Sequence, residues 1–233
     1  MPDAAPSPAP APPRPVPARR SGAAIARFLV VVAAVLAADL VLKYWAFDTV
    51  AGRPVVITDE LLDGRDGHHA FWSKYLHEPI VVAPKLLELR LTTNTGAVFG
   101  LGKGNRVLFI AVSVVATAVI GWLFARSPAR AWGLQLALAL ILAGALGNLY
   151  DRVVYRAVRD MLHLFPGVDL PLGIAWPGGI TEVWPWIFNL ADVALMVGVG
   201  FVLILTWRHD NAANGPARPA SALRPPEVST PSS

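Results

Sequence analysis

Three acidic residues of this chain stand where carboxylates are costly. Asp151 closes the stretch "GNLYD", residues 147–151, Asp160 lies within "VRDM", residues 158–161, and Asp192 closes "FNLAD", residues 188–192. Asn148 precedes Asp151 by three residues, and Asn189 precedes Asp192 by three, so on a helix each pair shares a face. Carboxylates brought together in a low dielectric cannot both ionise, and one proton is shared between them. The ionised member then draws a proton from water while the protonated member polarises a carbonyl, which is acid–base chemistry suited to peptide hydrolysis. Spacing alone favours Asp151 over Asp160 as the partner of Asp192.

Other chemistries find less support. The chain has no cysteine, so thiol nucleophiles, thiolate metal sites and disulfides are excluded. Near the carboxylates no serine or threonine recurs with a suitable base, and His163, close to Asp160, stands alone. His68, His69 and His77 show no carboxylate–histidine spacing of a ligand set, so no metal and no cofactor is assigned.

The elements that carry these residues are apolar and long. Of 233 residues, 55% are hydrophobic and 15% charged, a balance further towards membrane than a soluble domain shows. Four apolar spans are expected, over about 25–47, 107–125, 132–149 and 187–207. At a rise of ~1.5 Å per residue each matches a hydrocarbon core of ~30 Å. The first carries Asp39 and Lys43 and follows a Pro-rich stretch, which suits a mature helix better than a signal peptide. Asp39 and Lys43 are four apart and share a face, so they pair near the outer surface while Lys43 snorkels. Gly144 and Gly147 give the third span a small-residue face where another helix approaches. Asn148, Asp151 and Arg152 continue along it, either as an outer-rim Asp–Arg pair or as part of a site.

Every polar group in the spans falls at the same end, and depth agreement across three helices predicts one site near the outer membrane surface. Arg14, Arg19, Arg20 and Arg27, the "RSPAR" turn at 126–130 and Arg208 place both termini in the cytoplasm. The loops 48–106 and 150–186 then lie outside, and residues 80–100 read as short strands on the membrane surface. Residues 1–22 and 208–233, Pro-rich and poor in core formers, are expected to be disordered tails around a membrane domain over 23–207. The net charge of +4 forms no basic stripe, so nucleic acid is not an expected partner.

At five ordered stretches the chain resembles lipoprotein signal peptidase, the bacterial signal peptidase II family: "DLVLK" (39–43), "TTNTGAVFG" (92–100), "AGALGNLYDR" (143–152), "VRDM" (158–161) and "FNLAD" (188–192). The resemblance implies an all-α polytopic membrane protein with four transmembrane helices and a small extracytoplasmic β-rich segment. It implies an aspartyl endopeptidase without metal that cleaves prolipoproteins just before the lipid-modified cysteine. The catalytic pair it implies is Asp160 and Asp192, with Asp151 supporting beside Arg152. Asn94, Asn148, Arg152 and Asn189 would line the pocket, and Asp39 and Lys43 would support it from the first helix. Ala143, Arg159 and Val193 depart from the family pattern. As the residue directly before Asp160, Arg159 is expected to point elsewhere; a close cation would lower that carboxylate's pKa. Segments 48–84 and 161–187 are longer than usual.

A proton-coupled transporter or channel is the alternative, since intramembrane carboxylates also build relays. It predicts carboxylates spread across the membrane depth or a broken helix, whereas here they gather at one depth. An inactive membrane scaffold would fit the loss of either aspartate, and both are present. One chain carries both, so a monomer in contact with membrane lipids suffices.

Overall fold

The structure is a computed structural model, and it describes residues 15–58, 62, 77–96 and 105–213. Four helices are long and apolar enough to cross a membrane: α1 (Gly22–Thr49), α2 (Arg106–Arg126), α3 (Trp132–Val154) and α4 (Leu190–Ala213). Between them lie four strands, β1 (Ile80–Ala83), β2 (Leu87–Asn94), β3 (Val158–Leu164) and β4 (Ile187–Phe188), in one antiparallel sheet of order β1-β2-β3-β4. His68 and His69 lie outside the described residues.

Helix starts follow local chemistry. Ser21 caps α1 by accepting from the Ala24 N–H at 3.3 Å, and Asn105 caps α2 by accepting from Leu108 at the same distance, each satisfying a first-turn donor. The helices expose apolar side chains such as Val112, Val115, Met196 and Leu203. In lipid that exposure costs nothing, because lipid tails are as apolar as the side chains themselves.

Backbone approach therefore decides which helices meet. A Cβ on Gly144 would collide with the Ala191 carbonyl, and one on Gly147 would press into the Asp39 carboxylate. Gly198 plays the same part lower down: a Cβ there would stand 2.7 Å from the Ala137 carbonyl. These glycines let α3 lie directly against α4. On the other side of α3, Phe28 of α1 stacks on Phe124 of α2 with ring centroids 4.0 Å apart, above Leu138 and Leu142.

The sheet caps one end of the bundle. Ala46, Phe47 and Val50 at the end of α1 pack with Leu89, Leu91 and Met161, so the strands are fixed to a helix end by a second small core. Tyr155 ends α3, Arg156 adopts a positive φ of 64°, and the chain turns into β3.

Three sequence boundaries need correction. Residues 187 and 188 do not open the fourth span but pair with His163 and Leu162 as β4, because extended β3 offers ladder partners there. α4 continues through 208–213 into the segment read as tail. At the other end, part of the segment read as a disordered leader is ordered. Ala18 is buried and donates to the Ser127 carbonyl at 2.7 Å, and Ala129 donates to Val16 at 2.8 Å. The unpaired carbonyls and amides of the α2–α3 turn give this arm its partners.

Candidate active site

The start of α4 is built by the stretch "FNLAD", residues 188–192. Asn189 and Asp192 form a reciprocal cap: the Asn189 Oδ1 accepts from the Asp192 N–H at 3.0 Å, and the Asp192 Oδ2 accepts from the Asn189 N–H at 3.2 Å. This is capping-box geometry with Asn and Asp in its two places. A carboxylate in the first turn also lies at the favourable end of the helix dipole.

The same asparagine reaches β3. Its Nδ2 donates to Asp160 Oδ1 at 2.6 Å and to Asn148 Oδ1 at 3.1 Å. Asn148, on α3, donates from its own Nδ2 to Asp192 Oδ1 at 2.8 Å. Asp160 and Asp192 are thus tied together by two asparagines, and Asn189 touches both carboxylates. The aspartates differ in setting: Asp160 is 2% exposed, whereas Asp192 is only half-buried. Burial, and secondly the charge of Asp192, push the Asp160 carboxyl well above the usual carboxylate range.

Beneath this pair lies a layer of buried charge. Lys43 Nζ meets Asp39 at 2.8 Å and Asp151 at 3.3 Å, and donates to Asn148 Oδ1 at 3.2 Å. Asp39 in turn accepts from the Ala191 N–H at 2.9 Å, holding the first turn of α4 from below. Lys43 is fully buried, so the expected snorkelling to the surface does not occur; two carboxylates and an amide replace water around its ammonium.

Asp151 does not pair with the adjacent Arg152. Its partner is Arg159, which donates through Nε at 3.2 Å and Nη2 at 2.8 Å, while the Arg159 backbone N–H reaches Asp151 Oδ2 at 3.0 Å. The guanidinium lies 4.1 Å from the Tyr155 ring centre. Alternation along β3 explains the choice: Arg159 lies towards Tyr155 and the end of α1, and Asp160 towards Asn189. The cation next in sequence to Asp160 is therefore spent on Asp151.

Arg152 and Asn94 both act on one loop, at Gly96. Arg152 donates to the Gly96 carbonyl at 3.2 Å and to its own turn at Asn148, with Asp192 and Asp160 in electrostatic range. Asn94 accepts from the Gly96 N–H at 2.9 Å, an Asx turn at the end of β2. Thr92 lies opposite Asp160 in the sheet register.

Sequence reading missed Arg159 as a network member; its placement beside an aspartate within a buried apolar stretch was the available signal. It also took His163 as lone. In the fold His163 Nδ1 lies 2.8 Å from Glu88 Oε1 and Nε2 lies 3.2 Å from the Trp184 carbonyl, which ties residues 165–186 to the sheet. Among the described residues no group of three His, Asp or Glu is arranged to hold a metal ion.

A family model described as signal peptidase (SPase) II matches residues 31–208. The lipoprotein signal peptidase of Desulfitobacterium hafniense (strain DSM 10664 / DCB-2) is 35% identical over 133 residues, covering 57% of this chain and 77% of that protein. That of Methylobacterium sp. (strain 4-46) is 35% identical over 153 residues, 64% of this chain and 78% of its own. A solved bacterial membrane enzyme, determined by the in meso method at 2.3 Å resolution, shares the fold with a TM-score of 0.58 at 22% identity, over 83% of this chain and 94% of that one. Since the family match runs from within the first apolar helix into the last and covers well over half of the sequence, the chain belongs to the signal peptidase II family.

Proposed function

We propose that the chain is a membrane-embedded aspartyl endopeptidase of the bacterial inner membrane. It removes signal peptides from diacylglyceryl-modified prolipoproteins, cutting before the lipid-modified cysteine, with both termini cytoplasmic and the site near the outer face. The single observation that supports the chemistry best is the bridge through Asn189, which holds the buried Asp160 by its side-chain amide and the half-buried Asp192 by its backbone N–H.

The asymmetry divides the roles. Asp160, with its pKa raised by burial, carries the shared proton. Asn189 occupies Oδ1, so the proton sits on Oδ2 and is donated to the scissile carbonyl oxygen. Asp192, better exposed, takes a proton from water as the water oxygen bonds to the carbonyl carbon. Collapse of the resulting diol breaks the C–N bond; the leaving nitrogen takes the proton from Asp192, and Asp160 recovers its own. Asn148 and Asn189 fix the two carboxylates, and Asp39 and Lys43 fix Asn148 and the first turn of α4. Gly144 and Gly147 permit that closeness.

The test uses purified protein and a diacylglyceryl-modified prolipoprotein. Cleavage before the modified cysteine is expected, unaffected by chelators and abolished in both Asp160→Asn and Asp192→Asn. Full activity in either variant refutes the pair. Asp151→Asn is expected to lose stability while keeping both limbs of the pH–rate profile.

A further inference from the structure

The segment joining β3 to β4, "FPGVDLPLGIAWPGGITEVWPW" at 165–186, folds as an irregular hairpin. Asp169 and Glu182 pair at its base, the Asp169 carboxylate accepts from Thr181 Oγ1 at 2.6 Å, and Leu170 donates to the Thr181 carbonyl at 2.7 Å. Beyond that base the composition changes. From Leu170 to Thr181 there is no charged side chain. Leu172 is 96% exposed at a positive φ of 61°, and Ile174 and Ile180 are 55% and 46% exposed. A second turn closes behind them, where Trp176 pairs with Ile180 and its indole N–H donates to the Glu182 carbonyl at 2.9 Å.

An uncharged, apolar tip on charged feet is an unfavourable loop in water, where tips are normally polar. Its position in the chain indicates what covers it. The segment leaves from β3, which begins four residues after α3 ends, and returns through β4, two residues before α4 begins. Both feet are thus held at the surface where α3 and α4 leave the bilayer. The lipid-facing residues of those helices, such as Val153, Val154 and Val197, are apolar and exposed like the tip. The turn is internally braced, so its apolar side chains are presented without ordering a flexible loop.

We infer that residues 170–180 form an interfacial anchor whose Leu172, Ile174 and Ile180 enter the headgroup–acyl boundary of the outer leaflet, leaving Asp169 and Glu182 in water. Tryptophans at the neck (Trp176, Trp184 and Trp186) match the amphipathic side chains found at that depth. The occupant of this surface is the bilayer. The inference does not depend on which residues perform hydrolysis.

The natural absence of cysteine makes the test direct. The full-length chain carrying Leu172→Cys, and separately Asp169→Cys, is given a nitroxide label and placed in nanodiscs of phosphatidylethanolamine and phosphatidylglycerol. Collision with oxygen, which concentrates in lipid, is compared with collision with a water-soluble nickel chelate. The oxygen-to-nickel ratio is expected to be several-fold higher at position 172 than at position 169. Equal, water-like ratios at both positions overturn the anchor. So does a position 172 that is water-exposed in nanodiscs and becomes shielded only when lipidated substrate is added, since the segment would then cover substrate instead of lipid. Leu172 makes so little contact with the protein that its replacement should leave the fold intact, which the cleavage rate of the labelled chain checks.

Discussion

Replacing Lys43 with methionine removes the cation that two buried carboxylates share. Asp39, Lys43, Asp151 and Arg159 together sum to zero charge, with contacts of 2.8 Å (Lys43–Asp39), 3.3 Å (Lys43–Asp151) and 2.8 Å (Arg159–Asp151). Lys43→Met leaves one negative charge unbalanced where Asp39 and Asp151 are fully buried. Stranding one member of a buried pair costs about 3–5 kcal/mol, which for a chain of this size lowers Tm by roughly 6–20 °C. The geometry then makes the two double variants unequal. In Lys43→Met/Asp39→Asn, Asp151 keeps its two-pronged pair with Arg159, so most of the lost stability returns. In Lys43→Met/Asp151→Asn the net charge is also restored, but Asp39 has lost its cation and Arg159 its anion. That variant should remain close to the single one. Thermal unfolding of the four proteins in one detergent reads the difference. Equal rescue by both doubles would show that net charge, and not the specific pairing, governs this layer, and the reasoning from contacts would fail.

Other expectations follow from the same geometry. Asp160 has a folded pKa raised above its ordinary 3.8, so its ionisation disfavours the fold: its contribution is full below the unfolded value and is lost as pH rises through the folded one. Asp160→Asn should therefore be more stable than the parent at neutral pH, with the gap closing towards pH 4, as melting curves across pH will show. If Asp160 is the acid, cleavage should also fall at high pH, where its proton is lost. Gly198→Ala forces a methyl against the Ala137 carbonyl and should cost about 1–3 kcal/mol, whereas Gly200→Ala, with open space around it, should change Tm little. Asn189→Ala removes a cap worth about 1 kcal/mol and the contacts to both aspartates, so its loss in cleavage rate should far exceed its loss in stability.

The four helices were legible because hydropathy over about twenty residues is a strong signal, and the glycines at 144 and 147 announced the close side of α3. The convergence of Asp39, Asn148 and Asp192 was legible as a shared depth. The partners were not. By spacing Asp151 looks the nearer partner of Asp192, and only the turn at Tyr155 and Arg156, which ends the helix and begins a strand, sets Asp151 and Asp160 on different sides of the network. Lys43 reads as a surface cation because nothing local reveals the carboxylate coming from residue 151. β4 was hidden because two residues paired with a distant strand carry no periodicity of their own. The ordered leader at 16–20 was hidden by its own composition, since its partners are backbone groups of a turn more than a hundred residues away.

The reciprocal cap at Asn189 and Asp192 has a bearing on how this protein can vary. The residue that starts the helix and the residue that would do the chemistry are a single unit, so neither can drift along the helix without the other. Inserting a residue within the first turn would swing Asp192 about a quarter-turn around the axis and break the cap in the same step. Differences in bilayer thickness must then be absorbed at the far end, where α4 runs on to Ala213 and residues 206–211 are exposed. The capped end of α4 works as a fixed datum and the end at Ala213 as the adjustable one.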